Sequence, residues 1–150
     1  MKTYRSYSSE ETKLLGNKIA KKVSSVRCQV SRKGALILAL RGDLGSGKTT
    51  FTQGFLRGLG VRARVNSPTF VLIKTYNLKH MTYNRVYHID CYRIKKPKEL
   101  LSLGLKEIFD DPENIVLIEW PERLKNILPK TAKKIFFRHG REEKRRNIIF

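Results

Sequence analysis

The run Ala35-Leu36-Ile37-Leu38-Ala39-Leu40 passes, through Arg41, straight into Gly42-Asp43-Leu44-Gly45-Ser46-Gly47-Lys48-Thr49. The run has no polar face, is too short for an ordinary helix and lies between Gly34 and Gly42, so it predicts a strand buried on both sides. The octapeptide fits glycine, four residues, glycine, lysine, then serine or threonine, which is the Walker A pattern. A buried strand that turns through such a loop into a helix belongs to an α/β sheet, so one juncture constrains both fold and chemistry.

The residue types follow from what a phosphate requires. Gly42, Gly45 and Gly47 allow positive φ and bring backbone N–H groups to phosphate oxygens where a Cβ would collide. The helix behind the loop adds its positive end, Lys48 supplies an ammonium for the outer phosphates, and the Thr49 hydroxyl can ligate Mg²⁺. The candidate phosphate-binding set is Asp43, Leu44, Gly45, Ser46, Gly47, Lys48, Thr49 and Thr50.

Such a loop also needs a carboxylate at a neighbouring strand end to hold the metal, directly or through water. Glu119 closes a second apolar run, Asn114-Ile115-Val116-Leu117-Ile118, and fits that position. In the segment from Arg85 to Arg93 the period-two rule places His88, Asp90 and Tyr92 on one strand face. Asp90 is a candidate for orienting the attacking water or a metal-bound water, whereas His88 reads more simply as a structural hydrogen-bonding residue.

The rest of the chain supplies elements to surround this strand. Ser8 and Glu11 have the spacing of a capping box, and Leu15, Ile19 and Val23 recur every fourth residue, predicting a helix over about 9–24. Residues 50–58 read as a helix, Phe70 to Tyr76 and Arg85 to Cys91 as strands, and Glu99 to Phe109 as a short helix broken at Gly104. Lys134 to Arg138 and Arg146 to Phe150 are strand-like around a polar turn, which predicts a terminal hairpin. The expected fold is one domain, 1–150: a P-loop NTPase-like, three-layer α/β/α sandwich with a mostly parallel central sheet and a C-terminal antiparallel hairpin.

Composition bounds the partners. The net charge is +19, yet residues 1–34 carry +7, residues 35–122 only +4 and residues 123–150 the remaining +8. Leu, Ile, Val and Phe make up 44 of the 150 residues, enough to collapse a core despite that charge. Basic flanks favour polyanions, nucleic acid among them, without specifying one. Cys28 and Cys91 stand far apart with no further Cys or His at ligand spacing, which argues against a disulfide framework or zinc site. No apolar run has the length of a signal peptide core or a membrane span, so the expectation is a cytoplasmic protein without membrane contact. A guanine-reading N-K-x-D motif is not matched by Asn77-Leu78-Lys79-His80, which favours ATP.

The segments GDLGSGKTTFTQGFLRGLGV, VNSPTFVLIKTY, YHIDCYRI, ELLSLGL and VLIEWPERL, in that order between about Gly34 and Pro129, resemble the TsaE (YjeE) family of bacterial P-loop ATPases. That resemblance implies an ATPase required for threonylcarbamoyladenosine formation at tRNA position 37, acting with the TsaD and TsaB proteins and meeting tRNA at least indirectly through their complex. It further implies Thr49 and Glu119 as Mg²⁺ ligands, Lys48 as the phosphate-binding cation, and Asp90 as a catalytic or water-positioning carboxylate. Ser67-Pro68-Thr69-Phe70 is implied as a switch-like loop that puts Thr69 near the γ-phosphate. The adenine is implied to lie between the first helix, near Ser9 to Thr12, and C-terminal residues near Gly140-Arg141. The competing readings are a small-molecule P-loop kinase and a basic tRNA-binding module with a structural nucleotide. The sequence leaves the oligomeric state open.

Overall fold

In the computed structural model, residues 2–25, 33–63, 65, 72–79, 82–142 and 145–150 are described. Strand β2 (Leu36–Gly42) is buried from Leu36 to Leu40, as its continuous apolar run requires. The other strands are β1 (Thr3–Ser6), β3 (Ile73–Asn77), β4 (Arg85–Asp90), β5 (Asn114–Glu119), β6 (Lys133–His139) and β7 (Arg146–Ile149). The helices are α1 (Ser9–Ser25), α2 (Lys48–Gly58), α3 (Lys98–Leu101) and α4 (Leu105–Asp110), with a 3₁₀ turn over Pro121–Ile127. The strands form one sheet in the order β1-β7-β6-β2-β5-β4-β3. Its central four, β6-β2-β5-β4, run parallel, and β1, β7 and β3 pair antiparallel at the two edges.

The α/β/α architecture is the expected one. Leu36, Leu38 and Leu40 face α1 and α2, meeting Leu15, Phe51, Phe55 and Leu56. Ile37, Val116 and Ile118 face the other way, onto Leu100, Leu105, Phe109 and Leu124. Gly104, at φ 78, separates α3 from α4 as the sequence predicts. Two elements carry no signal in the sequence: β1 and the 3₁₀ turn, both too short to show a period. The strand expected from Phe70 is described from Ile73 onward; Phe70, the switch-like segment with Thr69, and Cys28 lie outside the described residues.

The start of α1 has the capping chemistry read from Ser8 and Glu11. Ser8 Oγ accepts from the Glu11 N–H at 3.1 Å, and the Glu11 carboxylate accepts from the Tyr7 N–H at 2.8 Å. The stripe that docks α1 on α2 differs from the one that the four-residue spacing suggests. Leu15 is buried, whereas Ile19 and Val23 are only partly covered, and the close contact is made by Gly16 and Ala20 against Gly54 and Gly58. A methyl group on Gly54 would sit 2.6 Å from Lys13 Cα, and one on Gly58 would sit 2.7 Å from Ala20 Cβ. Small residues four apart on both helices let the backbones approach where side chains would hold them apart.

The two basic flanks converge. β1 pairs with β7, Thr3 opposite Ile149 and Ser6 opposite Arg146, so both ends of the chain form the same side of the sheet. Charges at opposite ends of the sequence, on Lys2, Arg5, Lys133, Lys134, Arg138 and Arg146, thereby gather on β1, β6 and β7 or beside them.

Candidate functional site

The parallel strands β2, β5 and β4 end side by side, and the candidate residues lie at those ends. Leu40 is in register with Glu119, and Glu119 with Asp90. β2 then turns through the glycine loop into α2. Gly45 (φ 73) and Gly47 (φ 100) hold left-handed conformations that a side chain would strain. The first turn of α2 contains no acid, and Gly47 at its N-cap has no side chain to occupy the free N–H groups. The loop therefore presents backbone donors and a positive helix end to an anion.

Lys48 Nζ donates to the carbonyls of Gly42 and Asp43, at 2.7 and 2.8 Å, and lies 4.0 Å from the centre of the Trp120 ring. Burial lowers its pKa below the ordinary lysine value, while Glu119, Glu122, Asp90 and Asp43 pull the other way. Thr49 Oγ1 donates to Glu119 Oε2 at 2.9 Å, and Glu119 Oε1 lies 2.9 Å from His88 Nε2. Trp120 takes a left-handed conformation (φ 57), alone among the described non-glycine residues, and its ring centre lies 5.0 Å from that of Tyr92. Asp90 Oδ1 accepts from the Tyr92 N–H at 3.0 Å.

A cavity of about 210 Å³ is lined by Gly45, Lys48, Thr49, Asp90, Glu119 and Trp120, together with Leu44, Gly47, Thr50 and Tyr92. Candidate residues read from three separated stretches of sequence thus share one pocket. Ser46 is buried under the loop, and Asp43 contributes its carbonyl to Lys48. On the other side of the loop a cavity of about 350 Å³ is bounded by Ser8, Glu10, Thr12, Gly45, Thr50 and Arg146. Its walls are the start of α1 and Arg146 of β7; Gly140 and Arg141 are not among its lining residues. Gly140 instead closes the β6–β7 turn, donating its N–H to the Arg145 carbonyl at 2.8 Å.

The contacts that C-terminal residues make with the loop have no counterpart in the sequence reading. Arg146 Nε donates to the Gly45 carbonyl at 3.3 Å, and His139 Nε2 lies 3.1 Å from the Leu44 carbonyl. Their partners are 101 and 95 residues away, so no local spacing could signal them. Period two places Tyr92 on the face of Asp90, but its tilted ring contact with Trp120 depends on the turn between strands.

The donor set suits Mg²⁺ with a nucleotide. A hydroxyl and a carboxylate are hard oxygen ligands, and Mg²⁺ completes its shell with phosphates and water in sites of this kind. Among the described residues no group of three or more His, Cys, Asp or Glu side chains could hold a metal by itself. That is compatible with a site in which the phosphates are themselves ligands.

Cys91, next to Asp90, is fully buried, and its thiol is pushed up to about 12 by burial and by the Asp90, Glu122 and Glu119 carboxylates. At pH 8 the thiolate fraction is then on the order of 10⁻⁴. We expect iodoacetamide at pH 8 to leave Cys91 unmodified in the native protein and to label it fully in denaturant, as read by peptide mass spectrometry. Rapid native labelling would mean that the β4 end opens.

A family model described as threonylcarbamoyl adenosine biosynthesis protein TsaE matches residues 6–148. A Haemophilus influenzae protein named tRNA threonylcarbamoyladenosine biosynthesis protein TsaE is 36% identical over 130 residues, covering 87% of this chain and 78% of the relative. A Bacillus subtilis protein of the same name is 41% identical over 109 residues, covering 73% of this chain and 65% of the relative. With that second relative, the match spans just under two thirds of its length. The crystal structure of Bacillus subtilis YdiB superposes with a TM-score of 0.73 at 33% identity, covering 98% of this chain and 82% of the other.

Proposed function

The chain belongs to the TsaE family of threonylcarbamoyl adenosine biosynthesis proteins, and from that premise we propose that it is the Mg²⁺-dependent ATPase component of the bacterial tRNA threonylcarbamoyladenosine machinery. One observation carries the reading: the Thr49 hydroxyl and Glu119 carboxylate, 2.9 Å apart, stand between the glycine loop and the Asp90 strand end. In this reading the loop N–H groups and the α2 terminus hold the phosphates. The Lys48 ammonium exchanges the Gly42 and Asp43 carbonyls for phosphate oxygens, which are better partners for a buried cation. Thr49 and Glu119 hold Mg²⁺, which supplies charge neutralisation on the phosphates when bound. Asp90, in register with Glu119, orients the attacking water, and Thr69 keeps the role near the γ-phosphate that the family resemblance implies. The adenine side of the nucleotide lies toward the Ser8, Thr12 and Arg146 cavity.

The proposed partners are TsaD and TsaB, with tRNA reached through their complex in the cytoplasm. P-loop proteins completed by a partner gain rate because the partner supplies positioning and charge that the isolated site lacks. The test is ATP turnover by the full chain alone and with TsaD and TsaB. We expect slow hydrolysis alone and stimulation of at least roughly tenfold in the complex, well inside the range that partner-supplied groups achieve. Unchanged turnover and unchanged nucleotide affinity would overturn the partner-dependent mechanism. Label passing from the γ-phosphate to an acceptor other than water would instead make the protein a kinase.

A further inference from the structure

The Glu119 carboxylate is held on both oxygens. Oε2 accepts from the Thr49 hydroxyl, and Oε1 lies 2.9 Å from His88 Nε2. Both partners of the second contact are buried, His88 at 0% and Glu119 at 2% exposure. His88 is in register with Leu117 on the adjacent strand, so its ring lies on the same sheet face as Glu119, two residues further along β5. Water is therefore kept from Oε1, and the imidazole is the group that satisfies it.

The contact has a direction. A carboxylate oxygen accepts and cannot donate, so the proton shared across it is on Nε2 and is donated to Glu119 Oε1. Nδ1 is buried with no hydrogen-bond partner among the described residues, which leaves Glu119 as the polar group that fixes the ring.

From this geometry we infer that His88 is a positioning residue for the metal carboxylate: its Nε2–H pins Glu119 Oε1 and leaves Oε2, the oxygen beside Thr49, to face the cation. This inference rests on the proposed reading of Glu119 as a Mg²⁺ ligand. Losing a group that orients a metal ligand from behind typically costs roughly 10–100-fold in metal affinity or activity.

The experiment measures binding of a non-hydrolysable ATP analogue to the full chain by calorimetry, in EDTA and across a Mg²⁺ titration. The variants are His88→Leu, His88→Asn, His88→Gln and Glu119→Gln. Glutamine can carry an N–H to the place of Nε2, whereas asparagine is too short and leucine has no donor. We expect His88→Leu and His88→Asn to raise the half-saturating Mg²⁺ concentration roughly tenfold or more, with affinity in EDTA unchanged. His88→Gln should stay within about threefold of the parent. A merely structural histidine would lower the melting temperature without moving the metal titration.

If Glu119→Gln shifts the titration and the His88 variants do not, the positioning role is overturned and the metal reading stands. If Glu119→Gln itself leaves the titration unmoved, Glu119 is not the metal ligand and the underlying reading fails. Equal shifts in all three His88 variants, glutamine included, would assign the effect to ring shape and overturn the donor role. Should His88→Leu fail to fold, the asparagine and glutamine pair separates donor from shape without it.

Discussion

Replacing Glu119 by glutamine is expected to lower ATP turnover by roughly 10²–10³-fold, the loss typical when one preorganised electrostatic group is removed from a reacting centre. The substitution keeps size and can keep a bond to His88 and another to Thr49, so folding should be retained. What disappears is a buried negative charge. That charge holds the metal in the proposed reading, and it is also the first of the four carboxylates opposing the desolvation of the Lys48 ammonium. Without it the Lys48 pKa falls further, so loss of turnover should be accompanied by weaker phosphate binding at alkaline pH. Turnover within about threefold of the parent, with a normal melting curve, would remove Glu119 from the chemistry.

The second large effect concerns stability and is invisible at the site. Gly54→Ala should destabilise the fold by about 2 kcal/mol, which for a chain of this size lowers the melting temperature by about 4–8 °C. Alanine improves the helix by about 1 kcal/mol, but its methyl group would collide with the Lys13 carbonyl oxygen and sit 2.6 Å from the Lys13 Cα, and overpacking against a rigid neighbour costs up to about 3 kcal/mol or more. Backbone cannot swing aside as a side chain can, so α1 and α2 must separate. Since α2 begins at Lys48, the displacement should reach the phosphate loop and weaken nucleotide binding as well. Gly60→Ala is the control, because its Cβ would meet no atom within 4 Å and only its φ of 80° is strained. Equal melting temperatures for Gly54→Ala and the parent would show that the helix contact is looser than the packing implies.

Much of the site was legible because its signals are local. The loop from Gly42 to Thr49 declares itself through glycine spacing, and Glu119 through its place at the end of an apolar strand. Asp90 was legible through period two, and register then set it beside Glu119. The role of His88 was not, since nothing along the chain says that its ring meets a carboxylate 31 residues away. The same holds for Gly16 and Gly54, which read as weak helix residues until the opposing helix gives each a reason.

The opening strand and its loop therefore determined, without tertiary information, the fold class, and they named the candidate phosphate-binding set and the residue types proposed to hold Mg²⁺. Their determinants are backbone conformation and side-chain periodicity, which are short-range properties. Tertiary structure alone decided which donors secure Glu119, how closely α1 lies on α2, and that the +7 and +8 flanks meet through the pairing of β1 with β7. Those outcomes depend on sheet order and register, which bring together groups that no window of sequence contains.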